Sequence, residues 1–511
     1  MSSDLVSLSL SLFLFLSLAL IIKTLHKLWW NPLRIQGEMA AQGIGGPPYR
    51  FFHGSTKEML QMKREVTKRP MNLSHDIFPY VQPHLYEWTK TYGRNFLMWY
   101  GTQAFLVISD LEMIKEVLNN RDDTYSKEFV QDQVKKYIGD GLATFQGEKW
   151  AKHRKLANFA FHGENLKGMV PAMVHCAHTM LKRWSDREGK EIDAYKELRL
   201  YASDVISKTA FGSSYIEGKS IFENVNKLIL VMVNASSSFP MVRKLWKLAY
   251  EIEGEKIERG FREAVLEIIK KRQEKVNSGE LEKYGNDFLG LLLRASHEID
   301  EKKRITIDNV VSECKTFYIA GHKMATSFLA WTVLLLSIHT DWQQEARKEV
   351  LNVFGNQDPD LDGITKLKTI GMIINESLRL YPPATFISRK VNRQAKLGNL
   401  ILPAGIKLHI PTLKIHHDPR IWGHDVQLFK PERFADGVAK ATSNNPATFL
   451  PFGLGPRSCI GSNFVLVEAK VVLSMILQRY AFTLSPAYVH SPAQLLIAYP
   501  KYGVQILFNS I

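Results

Sequence analysis

A mainly α fold with a small β portion, preceded by one N-terminal transmembrane helix, is the class this sequence predicts. Three observations predict it. An uncharged apolar run opens the chain, a long stretch near residue 320 is apolar on most helical faces, and β-patterned segments are short and confined to the last quarter.

The apolar run is Leu5 to Ile22, eighteen residues of Leu, Ile, Phe, Val, Ala and Ser without a charge. A helix needs about 20 such residues to cross a bilayer, within a range of about 17 to 25. Lys23, Lys27 and Arg34 follow it, whereas only Asp4 and the amino terminus precede it. That asymmetry places the downstream side in the cytosol. Trp29 and Trp30 fall at headgroup level. A cleaved signal peptide fits less well, because the charged leading region and a small-x-small cleavage site are missing. Gly43, Gly45, Gly46, Pro47 and Pro48 then predict a non-helical hinge. The expected organisation is an anchor with its flank over 1–34, a hinge over 35–49 and one catalytic domain over 50–511.

Within the body, the clearest helix starts near Thr306 and ends near His339. At about 1.5 Å per residue it is as long as a domain is wide, and its apolar faces require burial. Asp341 to Val353 and Lys366 to Leu380 predict two more helices, the second stopped by Pro382 and Pro383. Ile387 to Val391, Leu400 to Ile410 and Ala493 to Phe508 predict strands. No repeat or linker divides 50–511. Hydrophobic content of 45% against 23% charged residues excludes wholesale disorder. The net charge of +15 is spread along the chain, with no nucleic-acid module. Nucleic acid is therefore not an expected partner, and anionic lipid or an acidic protein is. Cys176 and Cys314 are expected to be reduced, buried small hydrophobes, and three cysteines without a CxxC pair exclude a disulfide framework.

The segment Pro451-Phe-Gly-Leu-Gly-Pro-Arg-Ser-Cys-Ile-Gly461 carries the chemistry. A thiolate in apolar surroundings needs backbone N–H groups aimed at its sulfur. Gly453, Gly455 and Gly461 allow a tight loop to approach both the sulfur of Cys459 and a flat macrocycle. Phe452 would pack beside the sulfur, Arg457 would reach a carboxylate arm, and the helix Ile460 to Gln478 would bring its positive end near the thiolate. Taken alone, the segment is also compatible with an ordinary glycine turn and a buried cysteine.

The loop resembles the FxxGxRxCxG signature of the cytochrome P450 superfamily at Phe452, Gly455, Arg457, Cys459 and Gly461. Four more features resemble that family. Glu376 and Arg379 form an ExxR one helical turn apart. Arg433 in Pro431-Glu-Arg-Phe434 resembles the third member of the family's Glu-Arg-Arg network. Trp150 and Arg154 resemble its WxxxR pair, and Arg389 its other propionate arginine. The resemblance covers roughly residues 40 to 511. Trp30-x-Pro32, Gln42-Gly43 and the run from Gly141 through Thr144, Gly147 and Trp150 to Lys155 resemble the plant clan acting on terpenoid and hormone-like substrates. The resemblance implies the P450 fold and haem b (iron protoporphyrin IX), with Cys459 as the axial ligand of the iron. Trp150, Arg154, Arg389 and Arg457 would secure its propionates, and Glu376, Arg379 and Arg433 would brace the proximal side. It further implies a monooxygenase that takes O2, a lipophilic substrate and NADPH electrons from a separate flavoprotein reductase. The implied location is the cytosolic face of the endoplasmic reticulum membrane, and the implied state is monomeric.

One motif departs from the family. Its long helix carries Ala/Gly-Gly-x-Asp/Glu-Thr, whose acid and alcohol hold water and relay protons. Here Ala320-Gly321-His322 is followed by Lys323 in place of the acid and Met324 in place of the alcohol. Thr326 lies two positions on, about 200° around the helix. With Ala320 and Gly321 these residues are the distal candidates. Three activities compete: a monooxygenase whose relay water is organised otherwise, through His322 or the substrate's own hydroxyl; a reductase-independent isomerase or dehydratase; and a poorly coupled or inactive haem-binding protein.

His416 and His417 lack further histidines at ligand spacing, and a polar turn before Asp418-Pro419 is the expectation there. By analogy with the family, Lys127 to Thr144, Phe222 to Val242, Tyr318 to Thr326, Ala384 to Ile387 and Ala493 to Ile497 are the segments expected to line a lipophilic pocket.

Overall fold

The computed structural model describes residues 2–127, 139–213, 215–237, 243–301 and 304–511. The pocket expectation over Lys127 to Thr144 therefore falls partly outside the described residues, at 128–138, as does the one over Phe222 to Val242, at 238–242.

Apolar patterning at the start of the chain gives a helix over Ser2–Leu25, one π-helical turn over His26–Trp30 and a further helix over Asn31–Ala40. Pro32 has no N–H for the preceding turn, and the Leu28 carbonyl it leaves free accepts from the Tyr49 hydroxyl instead. The first helix is long and apolar enough to cross a membrane, and leucines and phenylalanines are bare all round it. The expected hinge differs from what is found. Residues 35–40 are helical, and Ile35 and Met39, one turn apart, are buried with Ile44, Tyr49, Trp99 and Leu402. Residues 41–49 are non-helical, yet they are docked. Leu97 donates to the Gly45 carbonyl at 2.9 Å, and a Cβ on Gly46 would stand 2.0 Å from the Leu97 carbonyl oxygen. The side-chain amide of Gln42 also exchanges hydrogen bonds with the Ile401 backbone, at 3.1 and 2.6 Å.

The body is mainly helical around one long helix, Ile307–Ile338, capped by the Thr306 hydroxyl, which accepts from Asn309 N–H at 3.2 Å. Its residues are buried almost throughout, so its apolar character is that of a core. The helix Ala194–Phe211 packs along it, with Phe211 stacked on Tyr318 at 4.1 Å. On its other side, Trp331 stacks on Tyr381 at 4.4 Å, just after the helix Lys368–Leu380. That helix does not reach back to Lys366 as expected. A break at Leu367 separates it from a short helix over Leu361–Lys366. Thr340–Phe354 forms the other expected helix.

The β portion is more divided than the sequence pattern implies. A hairpin of Phe96–Tyr100 and Gln103–Val107, absent from the expectations, joins Lys407–Ile410, Ile387–Val391 and Tyr125–Ser126 in a five-stranded sheet. The stretch Leu400 to Ile410 is two strands, Leu400–Leu402 and Lys407–Ile410, split where Pro403 and Gly405 turn the chain. Likewise, Ala493 to Phe508 is three short strands rather than one. Cys176 and Cys314 are free and buried, and burial pushes both thiols up.

Candidate active site

The cysteine loop is built by its own backbone. Gly453 N–H donates to Leu450 O at 3.1 Å, Ser458 N–H to Gly455 O at 3.0 Å and Cys459 N–H to Phe452 O at 2.8 Å. Gly455 has φ +73°, and a Cβ there would meet the Leu118 carbonyl oxygen at 2.2 Å, so only glycine fits. The helix Ser462–Leu477 starts just beyond Gly461, close to the two ends expected. Unlike the other two cysteines, Cys459 keeps accessible surface, although protein surrounds it. Burial raises its thiol, and the Gly461 N–H, Arg154 and Lys127 act in the opposite direction. These opposing groups are what a thiolate ligand requires.

Four cations face the same space. Arg389 is pushed down to about 10 by burial and by Arg457. Arg457 is pushed down to about 10, chiefly by burial. Lys127 is pushed down to about 8 by burial, by Arg389 and by Arg457. Arg154 is lowered by burial, with Cys459 acting to raise it. Cations that depress one another's proton affinity form a site suited to an anion. Such a donor set fits a flat group bearing two carboxylates beside a thiolate-bound metal, which is the form of haem. Arg457 lies over the Trp150 ring at 4.0 Å and donates to Phe145 O at 2.8 Å. Arg154 donates to Ser458 O at 2.6 Å, directly before the cysteine. Arg389 donates to Ser388 O at 2.9 Å. Each guanidinium is thus fixed by backbone and has further N–H donors. Lys127 was not singled out by any motif.

Behind the loop, Glu376 and Arg379 are both 0% exposed and paired twice, at 2.7 and 2.8 Å. Arg433 Nε lies 3.4 Å from Glu376, while its other nitrogens donate to Trp422 O and Asp425 O at 2.9 and 2.6 Å. The three expected members therefore meet in one buried network. His416 and His417 do not form the expected polar surface turn, because both are buried at the end of Thr412–His416. His416 Nε2 accepts the Leu450 N–H at 2.9 Å, and its carbonyl accepts Arg379 at 3.0 Å. His417 Nε2 donates to Leu380 O at 2.9 Å. Burial is the largest cause that pushes both imidazoles down to about 3, so they act as neutral hydrogen-bonding groups.

The distal candidates separate. Ala320 has exposed surface in the middle of an otherwise buried helix, and Lys323 and Met324, one turn on, are half-buried. Gly321 points elsewhere: a Cβ on it would stand 2.8 Å from Ile206 Cδ1, so its smallness serves helix packing. Thr326 is also removed from the open face. It is 1% exposed, and its hydroxyl donates to His322 O at 2.7 Å. The His322 ring packs against Phe222 at 5.2 Å. Burial, and secondarily Arg199, pushes the Lys323 amine down to about 8. A buried pair missed from the sequence, His153 and Glu313 at 2.6 Å, ties the Trp150 helix to the long helix. Glu313 also accepts the Leu142 N–H at 3.0 Å. Its only signal was an acid on an otherwise apolar face.

The family model described as cytochrome P450 matches residues 80–508. Among curated proteins, cytochrome P450 CYP749A22 of Panax ginseng is 51% identical over 496 residues, covering 96% of this chain and 94% of its own length. The 11-oxo-beta-amyrin 30-oxidase of Glycyrrhiza uralensis is 41% identical over 502 residues, with 95% of each chain covered. Cytochrome P450 734A1 of Arabidopsis thaliana is 39% identical over 502 residues, covering 96% of this chain and 95% of its own. By the family match over residues 80–508 and by these relatives, with the cysteine loop and the buried Glu-Arg-Arg network in place, the chain belongs to the cytochrome P450 family and is a P450 monooxygenase.

Proposed function

We propose that this enzyme inserts one atom of O2 into a lipophilic small molecule of the terpenoid class. NADPH electrons would reach it through a separate flavoprotein reductase. The single observation that carries the reading is Cys459, held by the Gly461 N–H beside Arg154, Arg389, Arg457 and Lys127. The terpenoid class rests on similarity to the 11-oxo-beta-amyrin 30-oxidases of Glycyrrhiza uralensis and Medicago truncatula. Endoplasmic reticulum location, a single pass, a cytosolic catalytic domain and a monomeric state complete the proposal. The membrane location and the cytosolic side are supported by the bare apolar helix and the basic residues behind it.

Bound haem supplies reductive activation of O2 at its iron. The chain's own groups do the rest. Cys459 Sγ would hold the iron, with the Gly461 N–H offsetting its charge. Arg389, Arg457 and Arg154 would neutralise the two carboxylates, with Trp150 stiffening Arg457 through ring contact. Ala320 leaves room above the site. Lys323 Nζ is the titratable atom on that face, and with an amine pushed down to about 8 it exchanges protons close to neutral pH.

A second reading is favoured by one observation. The Thr326 hydroxyl is bonded to its own helix, and Met324 offers none, so neither supplies the alcohol of a proton relay. A reductase-independent isomerase or dehydratase needs no relay. The test is a reduced carbon monoxide difference spectrum of the purified protein, followed by turnover of amyrin-type triterpenes with and without NADPH and a plant reductase. NADPH-dependent hydroxylated product supports the oxygenase, whereas product without NADPH supports the second reading. The absence of a thiolate-type Soret band sinks both.

A further inference from the structure

Glu313 is 0% exposed on the helix Ile307–Ile338, and His153, 2% exposed, meets it from the helix Gly147–Phe161. The facing atoms, His153 Nδ1 and Glu313 Oε1, stand 2.6 Å apart without the alignment of a hydrogen bond. The directed bond is made by the other carboxylate oxygen, which accepts the Leu142 N–H at 3.0 Å. Replacing a buried polar pair by apolar groups is often neutral or stabilising, so stability alone does not account for this one.

Leu142 belongs to a turn that is stiff in itself. Gly141 N–H donates to the Thr144 hydroxyl at 3.0 Å, and the Gly141 carbonyl accepts from Thr144 and Phe145 N–H, both at 2.9 Å. The turn lies directly on the long helix. A Cβ on Gly141 would stand 2.4 Å from Thr316 Oγ1 and 3.3 Å from Glu313 Oε2. At the far end, the Phe145 ring packs on the His153 ring at 4.5 Å, and the Phe145 carbonyl accepts Arg457 at 2.8 Å. The pair thus grips residues 141–145 at both ends, Glu313 at Leu142 and His153 at Phe145. Arg457 is held from the second end.

We propose that Glu313 and His153 are positioning residues for Arg457. They fix the turn whose carbonyl aims the guanidinium at a haem carboxylate. A cation held there offsets negative charge beside the iron, which favours the reduced state and retains the haem. The proposal rests on the role given to Arg457 in the function proposed above, and not on the choice of reaction.

The test uses the full-length haem-loaded protein in detergent, with two readings besides turnover. These are the haem midpoint potential, by spectroelectrochemical titration, and the rate of haem transfer to apomyoglobin. Glu313→Ala removes the acceptor of the turn. Its potential should fall, and haem transfer should quicken about tenfold. Loss of a buried carboxylate by itself would raise the potential, so a fall reports the loosened arginine. Glu313→Gln keeps an oxygen for Leu142 and should transfer haem at close to the parent rate. Gly141→Ala pushes the turn off the helix without a change of charge, and should reproduce both the fall and the faster transfer. In the unaltered chain, the Leu142 amide should be among the slowest to exchange within residues 139–146.

A potential that stays or rises in folded Glu313→Ala or Gly141→Ala overturns the proposal. So does a Gln variant that loses haem as fast as the Ala variant. Rapid exchange at Leu142 overturns it too, however the variants fold. A chain that takes up no haem sinks the role of Arg457 and this proposal with it, whereas a haem-loaded chain indifferent to the substitutions sinks this proposal alone.

Discussion

His416 is bonded at both ends of its residue: its ring accepts the Leu450 N–H at 2.9 Å and its carbonyl accepts Arg379 at 3.0 Å. One residue therefore joins the Glu376 network to the start of the cysteine loop. His416→Phe keeps the packing against Phe449 but leaves the Leu450 N–H unpaired, at a cost of about 1–3 kcal/mol. The expected result in denaturant unfolding is that loss, together with a thiolate Soret band that decays faster on standing. A variant as stable and as spectrally durable as the parent would refute the link.

Glu376→Gln removes the carboxylate that balances two guanidiniums in a site with no exposure. Breaking a buried pair in this way costs about 3–5 kcal/mol. Expression should yield protein depleted in haem, with a urea midpoint displaced accordingly. A loss below about 1 kcal/mol would mean that the network is not a structural lock.

Lys323→Glu combined with Met324→Thr restores an acid and an alcohol on the half-open face. Product formed per NADPH consumed should rise, and hydrogen peroxide release should fall. Unchanged coupling would show that these two positions do not govern proton delivery.

The Lys323 amine is pushed down to about 8 from an ordinary 10.5. The unfolded chain therefore holds this proton more tightly, and the native state is penalised wherever the unfolded lysine is charged and the folded one must be too. The penalty is full below about pH 8 and shrinks as pH rises toward 10.5, so this group makes stability increase with pH across that window. At pH 7, Lys323→Met should be more stable than the parent by about 1–3 kcal/mol. The gap should narrow as pH rises from 8 to 10, as read by unfolding midpoints. A gap independent of pH would exclude this titration as its cause.

Gly46→Ala places a Cβ 2.0 Å from the Leu97 carbonyl oxygen, which belongs to a sheet and cannot give way freely. Overpacking of this kind costs about 1–3 kcal/mol. Hydrogen exchange should quicken in residues 35–49 while the Cys459 loop stays protected. Equal protection in Gly46→Ala and the unaltered chain would show that the segment tolerates displacement.

Residues whose chemistry is local were legible in the sequence. The cysteine loop, the Glu376–Arg379 turn and the long helix from its Thr306 cap all depend on spacing along one segment. Contacts between distant segments were not. His153, Glu313 and the ring of His416 acquire their partners only when separate elements are brought together, and no periodicity marks them. Gly321 and Thr326 were misplaced for the same reason. Which face of a helix looks into open space is decided by its neighbour, here Ile206, and by a hydroxyl turning back on its own backbone. The expected hinge is non-helical over 41–49, where its glycines and prolines lie, but over 35–40 the burial of Ile35 and Met39 keeps the chain helical.

Trp29 packs against Tyr49 and Phe51, and the Tyr49 hydroxyl donates to Leu28 O at 2.5 Å, so the root of the anchor is clamped to the body instead of swinging from it. Held in lipid as proposed, a helix clamped in this way would act as a mast. Any tilt of the mast is copied by the globe, and free tumbling about the tether is forbidden. Under the membrane location proposed above, lipophilic molecules dissolved in the leaflet would meet the protein from one fixed bearing, and the search for the proposed reductase would be confined to sliding in two dimensions.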